Sequence, residues 1–219
     1  MIHSKVQCLL RIAMRVLLSL LMRIEVIGTE HIPDKGPFIM VTNHLAALDT
    51  PVLLTVFPHE IRIFAASKHR KNIFYGTLLQ LGGAIWVRRG EVDRQALKEA
   101  LAWLRAGGVF GLAPEGTRSR VTRALQEGKP GAAYLATRAE VPIVPVGVAG
   151  TERVMENLSW LRKTDVRVEV GEPFRLPQGG RVRGDQLEAA TELIMLRIAA
   201  LLPEQYRGAY AEASRPLQA

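Results

Sequence analysis

Between Phe38 and Val170 the chain alternates short apolar runs with longer segments patterned as helices. That alternation limits the fold more than any other feature. Phe38-Ile39-Met40-Val41-Thr42-Asn43 is rich in strand formers and reads as a buried strand. Further strands are expected at Arg62–Ala66, Ala84–Val87, Val109–Ala113, Ile143–Val148 and Val166–Val170. Helices are expected at Ile73–Leu81, Asp93–Ala106, Gly131–Ala139 and Gln186–Leu202. Strands interleaved with helices predict an α/β fold: a single domain with a largely parallel mixed sheet covered by helices on both faces. The 219 residues suffice for one such domain and are short for two. We place the domain at residues 23–210, with a C-terminal tail at 211–219. Pro33-Asp34-Lys35-Gly36-Pro37 reads as a turn, and Gln178-Gly179-Gly180 as a surface loop.

The first 22 residues have a different character. Lys5, Arg11, Arg15 and Arg23 precede the first acid, Glu25, and are interleaved with apolar side chains such as Val6, Leu9, Ile12, Val16 and Leu20. Residues 3–24 read as a helix, followed by a strand from Arg23 to Ile27. The arginines interrupt the apolar stretch, so it reaches neither the ~20 residues of a spanning helix nor the pattern of a cleaved signal. Residues 1–22 are expected to be an amphipathic membrane-associating helix lying in the headgroup plane, its basic side chains reaching anionic lipids; the bland alternative is an amphipathic helix packed on its own domain. The net charge of +8 suits an anionic membrane, a phosphorylated substrate or nucleic acid. No aromatic-rich signature supports nucleic acid. The single cysteine, Cys8, gives no disulfide within the chain and no thiolate metal site. The five histidines show no ligand spacing.

His44 and Asp49 are the first candidates for chemistry. Five residues apart on a continuous helix, they would diverge by about 140°. They meet only if the chain turns between them. A strand ending near Asn43 and a helix beginning near Thr50-Pro51 supply that turn, with Thr50 as N-cap and Pro51 at the first helical position. His44 then stands at the carboxyl end of a strand, where open α/β sheets place their sites. A carboxylate on one ring nitrogen fixes the tautomer and raises the basicity of the other. The spacing alone is a weak pattern, since a loop histidine beside a helix-capping aspartate looks the same.

Three further segments carry anion-binding chemistry. Pro114-Glu115-Gly116-Thr117-Arg118-Ser119-Arg120 follows an expected strand. Arg118 suits a bidentate phosphate contact, Thr117 and Ser119 add hydroxyls, Gly116 allows close backbone approach, and Glu115 suits a substrate hydroxyl. Ile85-Trp86-Val87-Arg88-Arg89 ends an apolar strand on two cations. Lys129 adds another at a helix start. The bland alternatives are a polar turn and solvated strand ends.

Together these segments resemble the glycerolipid acyltransferases, the 1-acylglycerol-3-phosphate acyltransferase family. Asn43–Asp49 is similar to the family's His-x4-Asp motif, Ile85–Arg89 to its second motif, Pro114–Ser119 to its Pro-Glu-Gly-Thr-Arg-Ser motif, and Val141–Val146 to its fourth, apolar motif. The ending Pro203–Tyr210 also resembles the family, and the motifs run in family order over roughly residues 23–210. The resemblance implies His44 as general base and Asp49 as its orienting partner. It implies that Glu115 and Gly116 position the acceptor, that Arg118 and Arg89 hold its phosphate with Lys129 as a lesser candidate, and that Val141–Val146 shapes the apolar part of the site, a buried core strand being the equal alternative; by their own chemistry Thr117 and Arg88 are further substrate-binding candidates. It also implies an acyl thioester co-substrate (acyl-CoA or acyl carrier protein), a lysophosphatidic acid acceptor, with glycerol 3-phosphate or another lyso-lipid as the alternative, and no further cofactor or metal. The basic N-terminal helix adds the expectation of peripheral or monotopic association with the cytoplasmic face of a membrane. Ala46 stands where many members carry Ser, Arg88 where some carry Asp, and Ala113 where Phe is common. These departures bear on acceptor and chain-length preference.

Overall fold

A computed structural model of the chain describes residues 2–88, 92–119, 121–177 and 182–214. Seven strands form one sheet: β1 (Met22–Ile27), β2 (Phe38–Thr42), β3 (Ile61–Ala66), β4 (Ile85–Val87), β5 (Val109–Leu112), β6 (Ile143–Ala149) and β7 (Thr164–Val170). Their spatial order is β1-β7-β6-β2-β5-β3-β4. Every neighbouring pair is parallel except β6 with β7. The expected single α/β domain with a largely parallel mixed sheet is therefore present.

The sheet separates two apolar layers, and β2 shows how. Its period of two sends Phe38 and Met40 to one face and Ile39 and Val41 to the other. The first face packs against α1 (Ile2–Leu21) and α2 (Asp49–Val56), through Leu18, Val52 and Leu53. The second packs against α4 (Arg94–Arg105), α5 (Gly131–Ala139) and α7 (Asp185–Ala200), through Leu104, Leu135 and Ile194. α3 (Ile73–Leu81) follows β3, and α6 (Val154–Ser159) is a short helix before β7 that its sequence pattern did not announce. The loop at Gln178-Gly179-Gly180 lies outside the described residues.

One expectation about local structure is corrected. α2 begins at Asp49, not at Pro51, and Thr50 does not cap it; Leu48 stands at the N-cap with no side-chain bond. Asp49 instead turns its carboxylate back onto the preceding loop, which draws it into the first helical position. α1 is also bonded to the domain. Arg15 donates to the carbonyl of Thr55 at 2.7 Å, and Arg11 to those of Pro58 and His59 at 2.8 and 2.8 Å. The last carbonyls of a helix lack partners within it, and the guanidinium groups satisfy the end of α2 and the turn beyond. Arg23 pairs with Asp165. Arg11 and Arg15 thus fasten α1 to the domain through backbone carbonyls, while Arg23 and Asp165 pair on the surface.

Leu18, at 1% exposure, anchors α1 to the domain. On its outer side Ile12, Val16, Leu17 and Leu20 are 53–65% exposed. No helix of the described residues is long and apolar enough to cross a membrane.

Candidate active site

β2 ends at Thr42 and delivers the chain to a loop, residues 43–48, at the carboxyl end of the parallel strands. Asn43 is fully buried and clamps that loop to β6: its amide donates to the carbonyl of Val148 and its side-chain oxygen accepts the Val148 N–H, both at 2.8 Å. His44 is next, with Nδ1 2.8 Å from Asp49 Oδ2. An ionised carboxylate can only accept, so Nδ1 carries the proton and Nε2 presents its lone pair. The turn between strand and helix thus brings the two side chains together despite their spacing.

Asp49 is only 1% exposed. Removing an unpaired carboxylate from water costs several kcal/mol. Three donors offset that cost: His44 Nδ1–H, the Ala46 N–H at 2.8 Å, and the hydroxyl of Thr151 on Oδ1. The positive end of α2, where Asp49 is the first residue, adds to them.

The 115–129 loop lies beside His44. Glu115 is 2% exposed, and its two carboxylate oxygens accept the His44 N–H at 2.8 Å and the Gln126 N–H at 3.0 Å. Burial pushes its pKa up to about 7, against the pull of those two N–H groups; the charge of Asp49 adds to the rise. Ser119 N–H donates to the His44 carbonyl at 2.9 Å. The loop is thereby stitched to the His44 segment on both sides. At its far end the C-terminal segment straps it down: Tyr206 accepts the Leu125 N–H through its carbonyl, and Tyr210 accepts the Gly128 N–H through its hydroxyl. Gly116 has φ +68°, and a Cβ there would lie 3.2 Å from Lys129 Nζ. A side chain at 116 would therefore be strained and would crowd the lysine.

His44 and Asp49 open onto a cleft of about 880 Å³. That is the size of a small-molecule pocket, commonly ~300–1,000 Å³. Its walls are largely aliphatic, with Leu53, Leu54, Leu97, Leu101, Leu112 and Leu187 among them. Its charged lining comprises Arg88, Arg94, Lys98 and Lys129 beside Asp93. A smaller cavity of about 60 Å³ also touches His44 and Thr50, and there His69, Leu79 and Arg118 form the wall. A base thus faces a long apolar cleft carrying fixed positive charge. This arrangement suits deprotonation of a hydroxyl on an anionic, lipid-like molecule.

The structure brings His44, Asp49, Gly116, Lys129 and Arg88 to the large cleft, and Arg118 to the smaller cavity beside His44. Arg89 lies outside the described residues. Glu115 lines neither cavity; its carboxylate faces the backbone of His44 and Gln126, where the expectation placed it on the acceptor. Thr117 is exposed and lines neither cavity. The Ser119 hydroxyl is turned to the Ala124 carbonyl and to Thr122. Val141–Val146 lines neither cavity, and its β6 residues, Ile143 to Val146, are buried in the sheet.

Four contributors escaped the sequence reading. Arg94 and Lys98 are spaced four apart on α4, which puts them on one helical face, so their spacing was a usable signal. Asn43 stands inside the motif itself. Thr151 comes just after β6, and only its position beyond a strand's carboxyl end hinted at a role.

Comparison with known proteins agrees with this geometry. A family model described as Acyltransferase matches residues 23–149, more than half of the chain. The chain belongs to that acyltransferase family. Among its relatives, a Bacillus subtilis protein named 1-acyl-sn-glycerol-3-phosphate acyltransferase is 26% identical over 188 residues, covering 85% of this chain and 92% of that one. The Saccharomyces cerevisiae protein of the same name is 30% identical over 141 residues, 60% of this chain and 45% of its own length. The chain thus spans nearly all of the bacterial relative and about half of the yeast one. Its fold is also that of a crystal structure of the 1-acyl-sn-glycerophosphate acyltransferase from Thermotoga maritima, with a TM-score of 0.71 at 23% identity over 99% of this chain and 81% of that one. The protein is accordingly an acyltransferase.

Proposed function

We propose that this acyltransferase moves a fatty acyl group from a thioester, acyl-CoA or acyl carrier protein, to the sn-2 hydroxyl of 1-acylglycerol 3-phosphate, giving phosphatidic acid. The observation that carries the proposal is the His44 Nδ1–Asp49 pair opening onto an aliphatic cleft beside Lys129 and Arg88. The relatives' names point to the same acceptor. His44 Nε2 takes the acceptor's hydroxyl proton as its oxygen attacks the thioester carbonyl. Asp49 stabilises the imidazolium that forms. As the tetrahedral intermediate collapses, the carbon–sulfur bond breaks, and the proton passes from His44 to the leaving thiolate. General-base assistance of this kind contributes ~10²–10⁴-fold, and holding both substrates in line contributes up to roughly 7–11 kcal/mol. Lys129 and Arg88 hold the acceptor phosphate, and Arg118 supplies charge from the other side of His44.

The outer face of α1 seats the enzyme on the bilayer through Ile12, Val16, Leu17 and Leu20. Attraction to anionic lipid is reinforced by the exposed Lys68, Arg70 and Lys71. They precede Ile73, which is 80% exposed at the start of α3. α3 and its preceding turn border the smaller cavity through Leu79 and His69, so this patch adjoins the His44 mouth. Such a surface fits the cytoplasmic leaflet, whose anionic lipids attract lysine and arginine.

An acceptor panel tests the function. Lysophosphatidate, glycerol 3-phosphate and other lysophospholipids are offered with each donor type, and products are read by lipid mass spectrometry. Preference for lysophosphatidate supports the proposal; preference for another acceptor redirects it. Sedimentation with phosphatidylglycerol-containing vesicles tests the seating, since Ile12→Asp with Val16→Asp should release the protein. Unchanged binding would remove α1 from the membrane contact.

A further inference from the structure

Asp49 has a second long-range attachment. β6 ends at Ala149, and Gly150 turns the chain at φ +96°, where an added Cβ would meet the Asp165 carbonyl at 2.4 Å. Thr151, 2% exposed, opens the short 3-10 turn Thr151–Arg153, and its hydroxyl donates to Asp49 Oδ1. The other carboxylate oxygen, Oδ2, takes both His44 Nδ1–H and the Ala46 N–H. The two oxygens of one carboxylate therefore have different tasks: Oδ2 faces the base, and Oδ1 is tied to the end of β6.

A carboxylate pivots freely about its last torsion. With Oδ1 anchored, the plane of the group is set and Oδ2 cannot swing off Nδ1. The anchor itself is rigid, because Asn43 fastens β6 to the His44 segment through both backbone groups of Val148. Nothing in the cleft wall includes Thr151, so it acts on the reaction only through Asp49.

We propose that Thr151 is a positioning residue of the acyltransferase: its hydroxyl fixes the Asp49 carboxylate in the orientation that keeps His44 Nε2 free as the base. The proposal rests on the reading of His44 and Asp49 as the catalytic pair. Thr151→Val keeps the shape and removes the hydroxyl; Thr151→Ser keeps the hydroxyl. The valine variant should lose about 10- to 100-fold in kcat, the size of one hydrogen bond to a charged group. KM for donor and acceptor should stay within about twofold, since neither substrate is touched. The serine variant should recover most of the rate.

A double-mutant cycle separates positioning from general damage. With Asp49→Ala there is no carboxylate to hold, so adding Thr151→Val should cost nothing more. Equal kcat for valine, serine and wild-type enzymes overturns the proposal, as does a full additional loss in the Asp49→Ala background. If the valine variant fails to fold, Thr151→Ala against Thr151→Ser carries the same comparison, and equal rates for those two overturn it. Failure of the underlying reading looks different: His44→Ala and Asp49→Ala would then themselves keep wild-type turnover.

Discussion

Replacing Asp49 by asparagine removes one charge and almost no volume, and the hydrogen bonds around the carboxylate determine how the site responds. Oδ2 accepts two N–H groups, from Ala46 and His44, whereas Oδ1 accepts a hydroxyl. An amide NH2 in the Oδ2 position would confront the fixed Ala46 N–H. The asparagine should therefore place its oxygen there and its NH2 toward Thr151, whose hydroxyl can rotate to accept. The tautomer of His44 is then retained, and the loss is that of the charge facing the imidazolium. At about 4 Å between charge centres and an effective dielectric near 20, that attraction is roughly 4 kcal/mol, which corresponds to about 10³-fold in kcat. The assay is thiol release under saturating donor and acceptor, with nitrogen-15 chemical shifts of His44 reporting the tautomer. Turnover within tenfold of wild type would refute the role given to the charge. A proton found on Nε2 in the neutral ring of the variant would refute the hydrogen-bond reasoning.

Three other outcomes rest on the same contacts. The pKa of Glu115 stands at about 7 in the folded chain, above its ordinary value of 4.5, so the folded state binds this proton more tightly than the unfolded one. Its contribution to stability is complete below pH ~4.5 and is lost as pH rises through ~7. Melting temperatures across that window should fall more in wild type than in Glu115→Gln, and parallel curves would contradict the assignment. Lys129→Ala should raise KM for a phosphorylated acceptor about tenfold while leaving kcat near wild type, as expected for lost binding to an anion; an unchanged KM would remove Lys129 from the phosphate site. Leu53→Ala, at a position 2% exposed beneath the cleft, should cost ~2–5 kcal/mol in chemical denaturation, and a loss below about 1 kcal/mol would show that α2 is not held by that side chain.

Most of the sheet is readable because β2 to β6 are short apolar runs with a helix between each consecutive pair. The expected boundaries of α3 and α5 match the structure, and Asp93 caps α4 through the Ala96 N–H. The beginning of α2 differs from its local signal for a physical reason. Thr50-Pro51 is a good local start, but Asp49 gains more from three donors in space than Thr50 would from capping. Long-range partners of this kind are invisible in a local pattern: Thr151 is 102 residues from Asp49 in the chain. Glu115 poses the same difficulty. Its place in a polar loop suggests an outward carboxylate, whereas the N–H groups of His44 and Gln126 hold it inward. Arg11 and Arg15 look like lipid contacts on an isolated helix. Their partners are carbonyls near the end of α2, 40–48 residues on, which only the folded domain supplies.

The central claim is that His44, oriented by Asp49, removes the acceptor's hydroxyl proton directly. It is tested by comparing wild-type and His44→Ala enzymes with a defined acyl thioester and lysophosphatidate, with phosphatidic acid monitored by mass spectrometry. A loss of about 10² to 10⁴ in kcat, the range of general-base assistance, is the expected result. Turnover by His44→Ala within a few-fold of wild type would contradict it.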